Sequence, residues 1–253
     1  MRKSSDVAVI SRGRITDFEA ARLRDSIGEL LERRGITGDV RVRVTAGHCD
    51  HGPVVVQVNL IVGDTPARVQ AVPPDRDEMP AAVARLDRQI ERLSARWRPR
   101  PWPDRTRRTL TGAGDGVINR RKEYELLRGA PMQAVMVMDA MDYDVHLFTD
   151  AETGEDAVVY RAGPSGLRLA RQRRMCPPGS SLSTSSQVVP LIVNPHATPN
   201  LNEAAAVEQV RDNGAPFLFF TDAATGRGRL LYRRYDGDFG LIAPIGDGSQ
   251  DNS

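Results

Sequence analysis

Four arginines recur along one predicted helix at a spacing suited to binding a nucleic-acid backbone. They step by three, four and four residues, which places them side by side on a helix: Arg85, Arg88, Arg92 and Arg96. A neighbouring row of apolar residues, from Val83 to Trp97, predicts the buried side of the same helix. Guanidinium groups form charge-assisted and often bidentate hydrogen bonds with phosphate. An ordinary solvent-exposed helix face would show the same charges, so the pattern alone leaves both interpretations open.

Residues suited to catalysis or metal binding are sparse. His48, Cys49, Asp50 and His51 are adjacent in a predicted loop, whereas a structural zinc site needs four well-spaced ligands. We therefore favour a polar turn over a metal site. No nucleophile, base and orienting group stand together in a recognisable pattern, so we expect no enzyme, no cofactor and no small-molecule substrate.

The chain contains one pattern twice. Residues 145–161 read VHLFTDAETGEDAVVYR, and residues 217–233 read FLFFTDAATGRGRLLYR. Each copy has an apolar run, a T-D-A-x-T-G turn and a second apolar run that ends in Tyr-Arg. The Asp side chain can accept hydrogen bonds from nearby backbone N–H groups and Gly tolerates a positive φ, so each copy predicts a β-hairpin. The shared residues indicate an internal duplication.

The duplication extends on both sides of the hairpins. Short helices are predicted over 131–143 and 201–215, preceded by strands at 123–127 and 188–193. A further turn and last strand are predicted over 236–242, with a shortened counterpart at 163–167. Each β-α-β-β-β unit has about fifty residues, too few to bury a generous core alone. We therefore expect the two repeats to pack together as an intrachain pseudo-dimer through five aromatic residues: Phe148, Tyr160, Phe219, Tyr232 and Phe239.

The N-terminal part has a different pattern. A helix capped at Thr16 or Asp17 and stopped by Gly35 follows a first strand, and three strands and the arginine-bearing helix come after it. This β-α-β-β-β-α order predicts one sheet with both helices on one face, so the chain as a whole is assigned to the α+β class. The predicted boundaries are 5–98 for the N-terminal domain, 99–116 for a Pro/Arg/Gly-rich linker, 117–170 for the first repeat, 171–186 for a second linker, 187–246 for the second repeat and 247–253 for a polar tail.

Charge is distributed unevenly along the chain. The total is +2, yet residues 1–100 carry 18 basic and 14 acidic side chains while residues 131–253 carry 10 and 15. This asymmetry favours a nucleic-acid partner for the front of the chain and protein contacts for the back. No apolar run is long enough to span a membrane, and the N-terminus lacks a signal-peptide apolar region. We therefore expect a cytoplasmic protein with no membrane partner.

The first linker has its own candidate contacts. Trp97 and Trp102 lie among Arg96, Arg98 and Arg100, a mixture suited to stacking on unpaired bases. A passive tether, with one tryptophan packed on a domain, explains the segment equally well.

The repeated motifs resemble a known family. F-x-D-A-x-T-G, V-V-Y-R and D-G-x-F-G-L-I, all C-terminal to residue 144, are similar to the C-terminal domain of long-form ribosome hibernation promoting factors. The N-terminal element order, with Ser11-Arg12 after the first strand, Gln57-x-Asn59 in the third and Glu91-Arg92 in the last helix, resembles the family's small-subunit-binding domain.

The resemblance implies a function and a binding set. Family members occupy the decoding channel of the small ribosomal subunit, where mRNA and tRNA would lie, and their last helix carries basic residues at the positions of Arg92 and Arg96. The predicted rRNA-binding residues are therefore Arg12, Arg85, Arg88, Arg92, Arg96 and Arg98.

The second repeat departs from the family pattern. The family's C-terminal domain usually occurs once and dimerises, which pairs two ribosomes. Two copies in one chain would occupy that self-complementary surface internally, so we expect inhibition of translation under stress through single stalled ribosomes. The alternative hypothesis is a stress adaptor that does not bind ribosomes and acts through protein contacts of its repeats.

Overall fold

The computed structural model describes residues 6–46, 54–73, 78–100, 102–104, 116–162, 166–178, 191–234 and 236–245. The chain divides into two compact units. Unit 1 comprises Met1–Arg100, Asp104–Arg108 and Asp139–Tyr143, and unit 2 comprises Pro101–Pro103, Thr109–Met138 and Asp144–Ser253. The candidate metal loop at 48–51 lies outside the described residues.

Unit 1 contains one four-stranded sheet and two long helices. Their order is β1 (Asp6–Arg12), α1 (Asp17–Arg34), β2 (Asp39–Ala46), β3 (Val54–Val62), β4 (Thr65–Ala71) and α2 (Met79–Ser94). The strands lie in chain order, β1 and β2 parallel and the other neighbours antiparallel. Alternate valines of the sheet and the apolar sides of both helices form one buried cluster, in which Ile27 and Leu86 are fully enclosed. The α+β class predicted from the sequence is confirmed.

Local sequence signals define both ends of α1. The Thr16 hydroxyl accepts a hydrogen bond from the Glu19 N–H at 3.2 Å, and the Glu19 carboxylate accepts one from the Thr16 N–H at 2.7 Å. This capping box satisfies donors that the first helical turn cannot. Gly35 ends the helix at φ 65°. Before the helix, Gly13 lies at φ 79°, and a Cβ there would be 2.3 Å from the Ala46 carbonyl oxygen; only glycine fits this turn between β1 and α1.

Unit 2 contains two five-stranded sheets. Their strands and helices follow in the order β5 (Ile118–Tyr124), β6 (Arg128–Gly129), α3 (Pro131–Ala140), β7 (Val145–Asp150), β8 (Asp156–Tyr160), β9 (Arg168–Arg171), β10 (Ile192–Val193), β11 (Asn200–Leu201), α4 (Glu203–Asn213), β12 (Phe217–Asp222), β13 (Gly228–Arg233) and β14 (Phe239–Pro244). One sheet has the order β10-β9-β8-β7-β6 and the other β11-β12-β13-β14-β5. Each repeated motif forms a hairpin, β7–β8 or β12–β13.

The two sheets exchange strands. β5 lies at the start of the first repeat, but it pairs in parallel with β14 of the second repeat, with Tyr124 opposite Pro244. β10 lies at the start of the second repeat, but it pairs in parallel with β9 of the first, with Ile192 opposite Arg168. Each repeat therefore completes its sheet with the first strand of the other repeat.

This topology differs from the simple β-α-β-β-β order predicted for each repeat. Where one strand was predicted at 123–127, β5 ends at Tyr124 and a separate short strand, β6, pairs with β7. The last strand of the first repeat lies at Arg168–Arg171 instead of 163–167. Hydrophobic alternation indicates which residues face a core, but it does not identify the strand that lies alongside.

None of the helices within the described ranges has the length and apolar character needed to cross a membrane.

Candidate RNA-binding face and repeat interface

The exposed side of α2 carries part of the predicted arginine row. Arg88 is exposed on the helix, and Arg96 is exposed two residues beyond its last residue. Arg92 is half-buried and its Nη2 donates a hydrogen bond to the Gln89 side-chain oxygen. Burial lowers the pKa of Arg92, although a guanidinium remains charged at neutral pH. Arg88 and Arg92 are four residues apart on α2, which corresponds to about 6 Å of rise along the helix.

Arg85 occupies a different environment. Its side chain is buried, with 6% exposed, because position 85 lies on the side of α2 that also buries Ala82 and Gln89. The guanidinium forms ion pairs with Asp142 at 2.9 Å and Asp104 at 3.2 Å. Burial alone would lower the pKa of Arg85, but the charges and hydrogen bonds of these two carboxylates raise it overall.

A second buried guanidinium shares one of these carboxylates. Arg100 also pairs with Asp142. Arg85 is thus neutralised within unit 1, whereas the sequence pattern had placed it in the exposed row.

Two further predicted residues flank the core of unit 1. Arg12 is exposed at the end of β1, and Arg98 is exposed after α2. The tight turn at Gly13 fixes the end of β1 against β2.

Phe18 was not predicted from the sequence as a surface feature, yet its side chain is 75% exposed in the first turn of α1. The one sequence feature that indicates this exposure is the helical position of Phe18, which is not on the side of α1 that buries Leu23 and Ile27.

The acidic residues of α2 have partners on α1. Arg34 forms ion pairs with Asp87 at 2.6 Å and Glu91 at 3.5 Å. The hydrogen bond from Arg34 lowers the pKa of the Asp87 carboxyl. Asp87 and Glu91, which lie among the arginines of α2 in sequence, therefore point toward α1.

The linker tryptophans are both half-buried. In unit 2, Trp102 packs on Gly166, where an added Cβ would lie 3.2 Å from the Trp102 Cβ.

The two repeats share an apolar cluster between their sheets. Its buried members are Leu147, Val158 and Ala170 of the first repeat's sheet, Phe219 and Leu230 of the second, and Leu126. Partly buried side chains pack around them: Tyr124, Val145, Tyr160, Phe217 and Ile242. The Tyr160 and Phe217 rings meet edge to face at 5.4 Å, a favourable aromatic geometry. Burial raises the pKa of the Tyr160 hydroxyl.

Three of the five aromatic residues predicted at this interface lie elsewhere. Phe239 is fully buried in a separate cluster with Val210 of α4 and Phe220. Phe148 is fully buried, but it follows Leu147, and successive residues of a strand face opposite sides of a sheet. The Tyr232 ring covers Gly240, and the Lys122 Nζ lies 5.7 Å from its centre. The shared cluster holds only Tyr160 and Phe219 of the predicted set.

A buried carboxylate joins the two hairpins beside the apolar cluster. Asp156, with 3% exposed, accepts hydrogen bonds from the Arg227 Nε at 2.8 Å, the Arg227 Nη2 at 3.2 Å and the Gly228 N–H at 2.8 Å. The Gln172 side chain donates to the Thr221 hydroxyl at 3.0 Å and to the Gly226 carbonyl at 2.9 Å. Sequence reasoning missed both residues because each looks like an ordinary polar residue at a strand end.

The described residues contain no group of three or more His, Cys, Asp and Glu side chains arranged to hold a metal ion. Cys176 is an exposed free thiol.

Comparisons with known proteins agree with the duplicated motif. The family described as Sigma 54 modulation/S30EA ribosomal protein C terminus matches this chain in two segments, residues 114–169 and 192–241. The protein called dormancy associated translation inhibitor, from two strains of Mycobacterium tuberculosis, is 59% identical over 252 residues, which cover 99% of this chain and 92% of that protein. The N-terminal domain of Protein Y from Thermus thermophilus matches at 23% identity, covering 35% of this chain and 98% of that chain, with a TM-score of 0.25.

Proposed function

Because this chain belongs to the family of long-form ribosome hibernation promoting factors, we propose that it inhibits translation by binding the small ribosomal subunit in the decoding channel. Unit 1 would occupy the path of mRNA and tRNA and contact rRNA through phosphate groups. The name of the mycobacterial relative supports an inhibitory role in dormancy. Such a role places the protein in the cytoplasm with the ribosome as its partner.

The observation that carries this proposal is the exposed arginine set of unit 1. Arg88, Arg96 and Arg98 are exposed on or just after α2, Arg92 is half-exposed between them, and Arg12 is exposed at the end of β1. The helix under them is held by fully buried residues such as Leu86 and Ile90. A rigid helix lets guanidinium groups meet phosphates without the cost of ordering the backbone, so only the side chains lose conformational freedom. Arg85 is excluded from this binding set because two carboxylates already hold it.

A second part of the proposal concerns the number of ribosomes bound. The repeats of unit 2 bury an apolar cluster between their own sheets and exchange edge strands. A surface that is covered within one chain cannot also pair with a second chain. We infer that each molecule stabilises a single ribosome and does not join two.

Sedimentation through a sucrose gradient tests ribosome binding and the number of ribosomes bound. Purified protein mixed with ribosomes should migrate with single ribosomes at low salt, and no ribosome-pair peak should appear. The double variant Arg88→Glu with Arg96→Glu should leave the ribosome peak at moderate salt, because it reverses two proposed phosphate contacts.

The matched control changes net charge equally at exposed positions of unit 2, Arg120→Glu with Arg128→Glu. It should still migrate with ribosomes. Wild-type protein that remains at the top of the gradient at low salt would contradict ribosome binding and favour a stress adaptor that acts through protein contacts. A ribosome-pair peak would contradict the single-ribosome inference alone.

A further inference from the structure

The two hairpins of unit 2 have equivalent strand pairing, but they carry different charged residues where they contact each other. With the 72-residue offset between the repeats, Glu155 and Asp156 of the first correspond to Arg227 and Gly228 of the second. Asp156 accepts hydrogen bonds from both of these residues. Equivalent positions, 156 and 228, therefore lie opposite each other across the pair.

A pair of identical repeats would lack this match. In a two-fold pair of like subunits, residue i contacts residue j and residue j contacts residue i. Two first repeats would place one Asp156 carboxylate opposite another, at a site that buries the side chain and supplies no cation. Two second repeats would bring together two Arg227 guanidinium groups with no carboxylate between them. A buried charge without a partner, such as Asp156, is strongly destabilising, whereas the Arg227 side chains, which are 34% exposed, would add like-charge repulsion.

Space at the contact imposes the same asymmetry. A Cβ on Gly228 would lie 2.6 Å from the Asp156 Cβ and 2.8 Å from the Phe219 ring. A side chain on both strands at this point does not fit, so Asp on one repeat requires Gly on the other. The Asp156 carboxylate lies where a side chain at position 228 would be, and it accepts a hydrogen bond from the Gly228 N–H.

A second polar contact differs between the repeats in the same way. Gln172 donates to Thr221 and to the Gly226 carbonyl across the pair. Its counterpart at the same offset is Pro244, which has no side-chain or backbone donor. The reverse contact, from the second repeat to the first, therefore has no equivalent.

We propose that these contacts make the repeat surfaces mutually specific: the first repeat binds a surface that presents Arg-Gly opposite Asp156, and neither repeat binds its own kind. Their matched partner is already tethered in the same chain, at a high effective concentration. This inference rests on the intrachain pairing proposed above, but it is independent of ribosome binding.

An exchange experiment on the full-length chain tests the proposal. Variant A is Glu155→Arg with Asp156→Gly, variant B is Arg227→Glu with Gly228→Asp, and variant AB combines all four changes. The measurements are urea unfolding of unit 2, followed by near-ultraviolet circular dichroism, and the molecular mass by sedimentation equilibrium.

Variants A and B should each lower the folding equilibrium constant about 100-fold or more. Variant B places like charges at a buried contact, and variant A removes the carboxylate that accepts hydrogen bonds from Arg227 and from the buried Gly228 N–H. Variant AB should regain most of the loss seen in variant B, since approximate two-fold symmetry returns each charge to an opposite partner. The recovery should be incomplete because Glu155 also accepts hydrogen bonds from the Arg173 and Arg174 N–H groups, and because a Cβ at position 228 would still lie 2.8 Å from the Phe219 ring of its own repeat.

The control makes the same residue changes on the exposed side of α4, Glu208→Arg with Asp212→Gly. Its loss should stay within about tenfold, the cost of one glycine in a helix. An AB variant no more stable than variant B, which carries the same Gly228→Asp change, would overturn the proposal, and so would A and B variants as stable as the control. A wild-type dimer with the same recovery in AB would support specific matching but overturn the intrachain pairing in the proposed function.

Discussion

Two arginines three positions apart on α2 should respond to alanine substitution in opposite ways. Arg88 is exposed and proposed to contact phosphate, whereas Arg85 is buried and paired with Asp142 and Asp104. We expect Arg88→Ala to change the salt dependence of ribosome binding and leave folding stability intact. We expect Arg85→Ala to lower folding stability and leave the salt dependence intact.

The magnitudes follow from these environments. Each lost phosphate contact should make the slope of log K against log salt concentration less steep by about 0.7 to 0.9. For Arg88→Ala, a fourfold rise in salt should therefore cost about threefold less affinity than it costs the wild type. Breaking a buried ion pair from one side costs about 3 to 5 kcal/mol. Arg85→Ala should cost about 3 kcal/mol, at the low end of that range, because Arg100 still pairs with Asp142.

The assay is a set of cosedimentation titrations at four or five salt concentrations, beside urea unfolding of each variant. Arg88→Lys serves as the control, since it keeps the charge and should keep most of the slope. The reasoning is refuted if Arg85→Ala reduces the slope as much as Arg88→Ala while its unfolding midpoint stays at the wild-type value. That result would mean that Arg85 leaves its carboxylates to meet RNA.

Three further predictions concern stability. Burial lowers the pKa of His146 to about 4 from 6.5, so the unfolded chain binds this proton at a higher pH than the folded chain. The contribution of His146 to stability should be complete above about pH 6.5 and fall toward pH 4 by about 1.4 kcal/mol per pH unit. His146→Gln should remove that part of the pH dependence, measured by urea unfolding between pH 6.5 and 5. Gly13→Ala should cost more than about 2 kcal/mol through its positive φ and its clash with Ala46, while Gly35→Ala, with a positive φ and open space around it, should cost about 1 kcal/mol; equal losses would contradict the packing argument. Phe220→Ala, which empties the fully buried cluster beneath α4, should cost about 3 to 5 kcal/mol by urea unfolding, and a loss below about 1 kcal/mol would show that the site is not packed as described.

Local chemistry made the hairpins predictable from sequence. The Asp150 carboxylate accepts a hydrogen bond from the Glu152 N–H at 2.9 Å, and Gly154 adopts φ 73°, as a T-D-A-x-T-G turn requires. The Thr16 cap and the Gly35 stop of α1 were predictable for the same reason. In each case the interacting groups lie within a few residues of each other in the chain.

Contacts between distant residues were not predictable in this way. Arg85 continues the arginine row in sequence, but its partner Asp142 is 57 positions away. The helical periodicity of α2 gives no information about that partner. Asp156 and Gly228 look unrelated until the two hairpins face each other. Periodicity assigns a residue to a face of a strand or helix, whereas the partner on that face depends on tertiary packing. The rRNA-binding role of the exposed arginines therefore stays a prediction that the proposed variants test.

Strand exchange also determines what a break in the backbone can do. Cleavage anywhere between residues 178 and 191 would yield an N-terminal fragment that carries β5, a strand of the second sheet, and a C-terminal fragment that carries β10, a strand of the first. Within unit 2 neither fragment would hold a complete sheet, so the exchanged strands would have to leave their partner sheets before the fragments could separate. A protease could thus cut this protein in two and leave a particle of unchanged mass.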